Sequence, residues 1–337
     1  MATSTQTPAG TAKEFQRRQS PLLARYAIGM LATGVITPAM RVMDSLGVAE
    51  RMMGKAWPQR ERELRKKNPF GGYVPGEHDV IVATYAKSGT NWMMQIVHQL
   101  AFHGMAEFEH IHCVVPWPDY PPQMGQYAIP VEDNSVWMAA PEKKRAIKTH
   151  LNWDLIPYSE QARYIMVIRD PKDVFVSNYH FSKGIFAGML PSLETWYRLY
   201  LSGKLPVGGS WAVNAAGYWA QRHRPNIRVL SFKSMKRDLP GTVRRVAEFM
   251  KVHASDAELQ EVCHKASFEY MKTIDAKFGV WNMIPWNAAS TMIRRGAQGG
   301  SAELLTRDQQ REIDNRFQAE LRSLGSDFPY EEFCDLA

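Results

Sequence analysis

The sequence contains few cysteines, and they form no recognisable pattern. Only Cys113, Cys263 and Cys334 occur in 337 residues, and none of them belongs to a Cys-x-x-Cys pair. An odd number of scattered cysteines indicates neither a disulfide framework nor a zinc site. We therefore expect a reducing environment and predict a cytoplasmic location.

Dense basic runs and long apolar runs are also missing. Lys and Arg total 41 against 34 Asp and Glu, which gives a net charge of +7, but clustered basic residues do not alternate with aromatic ones. This pattern disfavours nucleic acid as a partner and is compatible with a small polyanion or a membrane surface. The uncharged stretch between Arg25 and Arg41 is shorter than the roughly 20 apolar residues of a membrane span.

The N-terminal part of the chain differs in character from the rest. Residues 1–12 are rich in Thr, Ser, Ala, Gly and Pro, which predicts disorder. Residues 15–53 predict two short amphipathic helices that are separated near Pro38. An interfacial membrane helix and a flap over an apolar substrate site are the alternatives. Residues 59–68, QRERELRKKN, are interpreted as a charged, solvated connector.

An anion-binding loop is predicted between an early strand and an early helix. Residues 80–85 form an apolar, β-branched run, and apolar residues recur with helical spacing from Trp92 onward. The polar segment between them, AKSGTN, contains Gly89, which permits close approach of a ligand, and Lys87, which adds a positive charge to the helix N-terminus. The lysine precedes the glycine, so this is not the Walker loop. The alternative is a solvated turn with an incidental lysine.

A second strand places a lysine and a histidine where ligands usually bind. The segment RAIKTH, residues 145–150, ends in polar residues, and ligands of open α/β sheets lie beyond the carboxyl ends of the strands. Alternation along a strand puts Lys148 and His150 on one side. Taken alone, a histidine at a strand end is more often structural than catalytic.

A third strand, RYIMVI at residues 163–168, is followed by an arginine and a helix start. Asp170 suits an N-cap and Pro171 suits the first helical turn. Arg169 near the hydroxyl of Ser177 suits a clamp for a phosphate monoester. The alternative is that Arg169 pairs with a local carboxylate such as that of Asp173.

The loop at residues 110–130 carries histidines and aromatic residues. His110 and His112 resemble a metal pair, but no carboxylate or cysteine lies at suitable spacing, so we predict no metal site. Trp117 and Tyr120 are candidates to line an apolar pocket, and core packing explains them equally well.

Five motifs in order carry a resemblance to a known family. TYAKSGTNW, IKTHL, VIRDPKDVFVSNYHF, SFEYMK and IRRG together resemble the cytosolic sulfotransferases, which use 3′-phosphoadenosine 5′-phosphosulfate (PAPS). The similarity runs from about Tyr73 to the C-terminal helix, so we predict a sulfotransferase domain at 71–337 after an extension at 1–70. It implies an α/β fold whose central parallel sheet is flanked by helices on both faces and carries a P-loop-like phosphosulfate loop.

The resemblance also implies which residues form the site. The nucleotide-binding set is Lys87, Ser88, Gly89, Thr90, Asn91, Trp92, Arg169, Ser177, Phe232, Ser267, Phe268, Met271, Arg294, Arg295 and Gly296. The catalytic set is His150 as general base, Lys148 beside it, and Lys87. PAPS is the implied co-substrate, and sulfuryl transfer requires no metal. Phe232 stands where the family often has a tyrosine.

An apolar small molecule is the expected acceptor. Its pocket is predicted from Tyr73, Trp117, Tyr120, Phe181, Trp281 and Trp286, which favour an alcohol or phenol, or an amine. One alternative is a metal-dependent small-molecule kinase, for which Asp170 is the available acidic ligand. Another is a non-catalytic nucleotide-binding or membrane-surface module that uses the extension as its anchor. The acceptor's identity and the oligomeric state are not predicted.

Overall fold

The computed structural model describes residues 30–120, 128–186, 190–206, 208–279, 291–296 and 299–337. Within them a single sheet forms the centre of the fold. Its strands are β1 (Asp79–Thr84), β2 (Arg145–Thr149), β3 (Arg163–Ile168) and β4 (Ile227–Ser231). The spatial order is β2-β1-β3-β4, and all three pairings are parallel.

The parallel register brings the carboxyl ends of the strands to one edge of the sheet. Ala83 pairs with Thr149, and Thr84 pairs with Val167. The loops that follow β1, β2 and β3 therefore begin side by side. This is the edge at which ligands bind in open α/β sheets.

Helices surround the sheet. In the first half of the chain they are α1 (Thr37–Ser45), α2 (Val48–Met53), α3 (Ala56–Lys66), α4 (Thr90–Ala101), α5 (Ser135–Ala139), α6 (Pro171–Phe186) and α7 (Leu193–Leu201). In the second half they are α8 (Trp211–Trp219), α9 (Phe232–Arg237), α10 (Leu239–Met250), α11 (Asp256–Lys265), α12 (Phe268–Thr273), α13 (Arg307–Ser323) and α14 (Tyr330–Phe333). Short 3-10 turns occupy Ile111–Cys113, Trp153–Leu155, Asp275–Phe278 and Gly300–Glu303.

Both faces of the sheet are buried, as predicted. Every residue of β1 is buried, and successive side chains alternate between two hydrophobic clusters. Ile81 packs in one cluster with α6, α7, α8 and α13, whereas Val80 and Val82 pack in the other with α4, α10 and α11. Continuous apolar strands are typical of parallel sheets covered by helices on both sides. The predicted α/β fold is confirmed.

The N-terminal segment is more helical than its sequence predicts. Residues 30–45 are helical without a break, with a π-type turn at Ala32–Ile36 before α1. The predicted separation near Pro38 is wrong, because the helix continues through Pro38 and the break falls at residues 46–47 instead, where Gly47 has φ 66°. Residues 1–12 lie outside the described residues. Among those described, no helix is both long enough and apolar enough to cross a membrane.

This segment packs on the sheet domain. Asp44 accepts a hydrogen bond of 2.9 Å from the backbone N–H of Ser192, and Glu50 forms an ion pair of 2.9 Å with Arg198 of α7. Each contact joins residues almost 150 positions apart in the sequence. Tertiary contacts, rather than local propensity, therefore fix the position of α1 and α2.

Candidate active site

The loop between β1 and α4 has the backbone of an anion cradle. Lys87 has φ 71° and Gly89 has φ 104°, both in the left-handed region. A Cβ on Gly89 would meet the Phe232 ring at 2.8 Å, so the site requires glycine for conformation and for space. Within the described residues, no side chain caps the N-terminus of α4 at this glycine. The free N–H groups of the first turn therefore face the loop, as in helix N-terminal anion sites.

Lys87 is a partly buried cation without an acidic ion-pair partner. None of the ion pairs formed by the described residues includes it, and its ammonium group lies 4.1 Å from the centre of the Phe181 ring. Burial, followed by the charge of Arg169, lowers the pKa of Lys87 to about 8. A partly buried cation that forms no ion pair is a favourable position for an anionic ligand.

His150 is held against the end of β1. Its Nδ1 lies 2.9 Å from the carbonyl oxygen of Thr84 and 3.4 Å from the Thr84 hydroxyl. That hydroxyl lies 2.6 Å from the hydroxyl of Thr90, in the first turn of α4. A carbonyl oxygen only accepts, so Nδ1 carries the proton and the lone pair is on Nε2. The imidazole is therefore oriented as a base.

The pKa of His150 differs from the ordinary value assumed from the sequence. Burial, followed by the positive charge of Lys148, lowers it to about 3. The side chain is thus neutral at physiological pH, as a base must be, but it is a weaker base than a free imidazole. An anion bound at the neighbouring lysines would oppose their charge and raise this pKa.

Lys148 lies beside His150 under an aromatic ring. Its ammonium group is 3.3 Å from the centre of the Trp117 ring, and the same indole packs edge to face on the imidazole with centroids 5.6 Å apart. Burial lowers the pKa of Lys148 to about 7. A second buried cation therefore adjoins the base.

Arg169 connects the end of β3 to the cradle. Its guanidinium donates a hydrogen bond of 3.1 Å to the carbonyl of Lys87 and lies 4.5 Å from the centre of the Phe232 ring. It also pairs with Asp173 at 3.5 Å, which is the alternative that the sequence left open. Arg169 therefore pairs with Asp173 and lines the cavity at the same time.

The basic turn after residue 290 reaches the same cavity. Arg294 and Arg295 each lie 2.9 Å from the carboxylate of Glu303, a residue that the sequence did not single out. Gly296 has φ 57°, and a Cβ there would overlap the ring of Phe268. The glycine thus lets the turn pack against α12. No local sequence signal identifies Glu303, because only the fold brings it to the arginines.

These elements enclose one large cavity of about 980 Å³. Most of the predicted site residues line it, namely Lys87, Gly89, Thr90, Asn91, Trp92, Trp117, Lys148, His150, Arg169, Ser177, Phe181, Phe232, Ser267, Phe268, Met271, Arg294, Arg295 and Gly296. Ser88 is fully buried beneath the loop, and its hydroxyl has no hydrogen-bond partner among the described residues. Trp281 and Trp286 lie outside the described residues.

Tyr73 does not belong to this cavity, and its assignment to the acceptor pocket is wrong. Its hydroxyl donates to Asp79 at 2.6 Å and accepts from Arg145 at 2.8 Å. Asp79 and Arg145 are the first residues of β1 and β2, so Tyr73 lies at the end of the sheet opposite to the loops. The Tyr73 hydroxyl bonds to both members of the buried Asp79–Arg145 ion pair. The sequence alone does not indicate this role for a tyrosine.

Tyr120 contributes indirectly. It packs edge to face on Trp117 with ring centroids 4.9 Å apart, and Trp117 itself lines the cavity. In the described structure Tyr120 thus supports the wall rather than forming its surface.

Helix α3 supplies a wall that the sequence did not predict. Trp57, Arg60, Glu63 and Leu64 line the cavity, and Arg60 donates a hydrogen bond of 2.7 Å to the carbonyl of Asp119. The interpretation of residues 59–68 as a solvated connector is therefore wrong for the face that contains Arg60. The dense run of charges concealed an apolar stripe formed by Trp57 and Leu64.

The two histidines of the 110–130 loop are held by the protein. His110 lies 2.8 Å from the carbonyl of Gly279, and His112 lies 3.1 Å from that of Val115. Among the described residues there is no group of three or more His, Cys, Asp or Glu placed to hold a metal ion. The carboxylate of Asp170 accepts hydrogen bonds from the backbone N–H groups of Lys172 and Asp335. The acidic residue that a metal-dependent kinase would use as a metal ligand is therefore engaged in structural hydrogen bonds.

Comparisons with known proteins agree with this arrangement. Residues 77–325 match the family model described as the sulfotransferase domain. The chain is 30% identical to luciferin sulfotransferase of Photinus pyralis over 67% of this chain and 64% of that protein. It is 28% identical to human sulfotransferase 1C2 over 74% of this chain and 85% of that one.

The fold is also similar to solved structures. A crystal structure of retinol dehydratase in complex with retinol and PAP superposes with a TM-score of 0.62 at 23% identity, covering 80% of this chain and 88% of that one. At this identity the likeness concerns the fold alone. It places the four parallel strands and their helices in a known architecture.

Proposed function

The chain belongs to the sulfotransferase family, and on that premise we propose that it transfers the sulfuryl group of PAPS to the hydroxyl or amine of an apolar small molecule. Its relatives are named as sulfotransferases, and solved structures of the same fold hold PAP, the product that remains after transfer. Both observations support PAPS as the donor. The residues that line the cavity support the other two parts of the proposal, the general base and the apolar acceptor.

The residues of the cavity suit a nucleotide with anionic groups at both ends. At one end, Lys87 and the uncapped N-terminus of α4 offer positive charge to a 5′-phosphosulfate. At the other, Arg294 and Arg295 form a basic turn for a 3′-phosphate. Trp92, which donates a hydrogen bond of 2.8 Å to the carbonyl of Ala266, provides an aromatic wall between them.

PAPS supplies a sulfuryl group whose departure leaves negative charge on the 5′-phosphate. Such transfers are dominated by positioning and electrostatic stabilisation, as in phosphoryl transfer. Lys87 and the loop N–H groups meet the developing charge, and Lys148 faces the sulfuryl oxygens. These cations are fixed before the reaction by the Phe181 and Trp117 rings, which reduces reorganisation at the transition state.

His150 acts as the general base in this proposal. Nδ1–H remains bonded to the carbonyl of Thr84, while Nε2 takes the proton from the acceptor hydroxyl. The low pKa of the imidazole in the ligand-free site rises when an anionic donor offsets Lys148 and Lys87, the two cations that depress it. Donor binding thus prepares the base for the acceptor.

The acceptor occupies the part of the cavity beside His150. Trp117 and Phe181 line this part together with Trp57 and Leu64 of α3. Large aromatic and aliphatic surfaces favour an apolar body, and the base at their centre favours a hydroxyl or amine.

One observation carries the proposal: His150 and the Lys87 loop lie on the same cavity and are joined through Thr84 and Thr90. The test is to titrate the protein with PAP and to screen alcohols, phenols and amines with radiolabelled PAPS in the presence of EDTA. We expect PAP binding and transfer without added metal. Absence of both, together with hydrolysis of MgATP, would instead favour the kinase.

A peripheral membrane contact is a further part of the proposal. Met30, Leu31, Val35, Val42 and Leu46 are all more than half exposed along residues 30–46. Flotation with liposomes of mixed zwitterionic and anionic lipid tests it: we expect the native chain to float, and a variant with Leu31, Val35 and Val42 changed to Ser to remain in the soluble fraction. A native chain that remains in the soluble fraction contradicts membrane contact, and flotation of both proteins contradicts the role given to these three residues. The cytoplasmic location is proposed from the family resemblance and is tested by cell fractionation.

A further inference from the structure

Helix α3 gives the cavity a wall that precedes the region matched by the family model. The match begins at residue 77, whereas α3 spans Ala56–Lys66. Six of its residues line the cavity: Ala56, Trp57, Gln59, Arg60, Glu63 and Leu64. The side of the site that faces α3 is therefore built by a segment outside the matched domain.

Helix α3 is fixed at the cavity rather than resting loosely over it. The indole of Trp57 packs so closely on Gly209 that a Cβ there would collide with it. Arg65 forms an ion pair of 2.5 Å with Asp154, on the turn that follows β2. These contacts hold α3 in register, so that the residue between them, Arg60, has a defined position.

Arg60 is placed beside the proposed base. Its Nη2 donates to the carbonyl of Asp119, and the carboxylate of the same Asp119 accepts from the backbone N–H of His150 at 2.9 Å. One residue thus separates the guanidinium from the backbone of His150. An acceptor whose hydroxyl lies at His150 has Arg60 within reach of its remaining atoms.

Arg60 has the buried carboxylate of Asp119 beside it on the same cavity, and that carboxylate favours the charged guanidinium. Arg60 is partly buried, and its hydrogen bond to Asp119 goes to an uncharged carbonyl. Glu63, one turn along α3, is exposed to solvent and accepts a hydrogen bond from Gln59 at 3.3 Å. Burial raises the pKa of Asp119, and its carboxylate accepts from the backbone N–H of His150. Among the described residues no carboxylate pairs with Arg60, whose hydrogen bond to a carbonyl leaves further guanidinium donors for an anion.

We propose that Arg60 binds a carboxylate on the acceptor, so that the preferred acceptor is a hydroxy acid with an apolar body. This inference rests on the proposed sulfuryl transfer and names the acceptor class of the same site. The hydroxyl lies at His150, the hydrocarbon packs on Trp57 and Leu64, and the carboxylate accepts from the donors of Arg60 that Asp119 leaves free. Guanidinium and carboxylate form bidentate, charge-assisted hydrogen bonds, which give both affinity and orientation.

The test compares three probes that differ in one group: ω-hydroxylauric acid, its methyl ester and lauryl alcohol. For the native protein we expect the acid to have the highest kcat/KM. Arg60→Gln should raise KM for the acid by about 10- to 100-fold, the range for loss of a charged hydrogen bond, while the ester changes by less than about threefold. Arg60→Lys should restore part of the preference. Arg62→Gln, an exposed change on the same helix, is the matched control.

Two results overturn the assignment. One is a native protein that does not distinguish the acid from the ester. The other is an Arg60→Gln variant that slows both probes equally and melts at a lower temperature, which would make Arg60 a tether for α3 alone. Binding of the acid and the ester, measured by calorimetry with and without PAP, separates this inference from the proposed function. Loss of acid binding in Arg60→Gln supports the subsite even if no transfer occurs.

Discussion

Nδ1 of His150 lies 2.9 Å from the carbonyl oxygen of Thr84, so the last residue before the Lys87 loop orients the imidazole that follows β2. Both residues are at the carboxyl edge of the sheet because β1 and β2 are parallel neighbours. The base and the cationic loop are therefore one structural unit.

Arg294 should discriminate between nucleotides with and without a 3′-phosphate. We expect Arg294→Ala to weaken PAP binding by about tenfold or more, because a charge-assisted hydrogen bond to phosphate is lost. AMP, which lacks the 3′-phosphate, should bind within about threefold of the native value. Calorimetric titration with both nucleotides measures this, with the exposed Arg244→Ala as control. Equal losses for PAP and AMP would remove the 3′-phosphate assignment.

Glu303 should compete with the 3′-phosphate for the basic turn. Both arginines of the turn lie 2.9 Å from its carboxylate, so a phosphate must displace or share that partner. Glu303→Gln keeps the shape and removes the charge. We expect PAP to bind about three- to tenfold more tightly to the variant, a change of roughly 1 kcal/mol, typical of a partly exposed ion pair. Weaker PAP binding would instead show that Glu303 positions the arginines for the ligand.

The affinity for PAP should fall as the pH rises past neutrality. The pKa of Lys87 is lowered to about 8 and that of Lys148 to about 7, so both lose positive charge between pH 7 and 9. An uncharged lysine no longer attracts phosphate, and affinity decreases on the alkaline side. Lys87→Met should bind PAP weakly and with a flatter pH profile. Affinity that increases from pH 7 to 9 would contradict the assignment.

The pH dependence of PAP affinity also distinguishes the contribution of His150 from those of Lys87 and Lys148. Because its pKa is lowered to about 3, His150 is neutral from pH 5 upward in the free protein. Because bound PAP raises this pKa, His150 should take up a proton in the complex at acid pH, so PAP should bind more tightly as the pH falls. His150→Ala should lose this rise in PAP affinity on the acid side and keep the decrease on the alkaline side that the lysines cause. A variant whose acid-side profile equals that of the native protein would contradict the rise in the His150 pKa on donor binding.

Tyr73 should contribute to stability and not to acceptor choice. Its hydroxyl bridges the fully buried pair of Asp79 and Arg145, whose atoms lie 2.8 Å apart. Tyr73→Phe removes hydrogen bonds to charged groups, and we expect a loss of about 1–3 kcal/mol in the free energy of unfolding. Denaturant titration measures this loss. A variant of native stability but altered acceptor preference would return Tyr73 to the acceptor pocket.

The sequence allowed the sheet and most of the site wall to be predicted. Apolar runs of five or six residues identified all four strands, and polar residues at their carboxyl ends identified Lys87, His150 and Arg169. The family resemblance is confirmed by the matched domain at residues 77–325. These features are local, so a single stretch of sequence contains enough information to indicate them.

Contacts between distant segments were not predictable in the same way. Glu303 beside Arg294, Arg60 beside Asp119, and Tyr73 on the Asp79–Arg145 pair are tertiary pairings without a short-range pattern. The pKa of His150 depends on burial and on Lys148, which a reference value cannot include. The roles of the site residues stay predictions until the variants are measured.

The most direct test of the account is sulfuryl transfer by His150→Ala. Radiolabelled PAPS is supplied with ω-hydroxylauric acid and with para-nitrophenol, and PAP binding is measured on the same preparation, with the exposed His253→Ala as control. We expect a loss of about 100-fold or more in kcat with PAP affinity within about threefold, because a general base is removed. Turnover equal to that of the control, with PAP still bound, would contradict it.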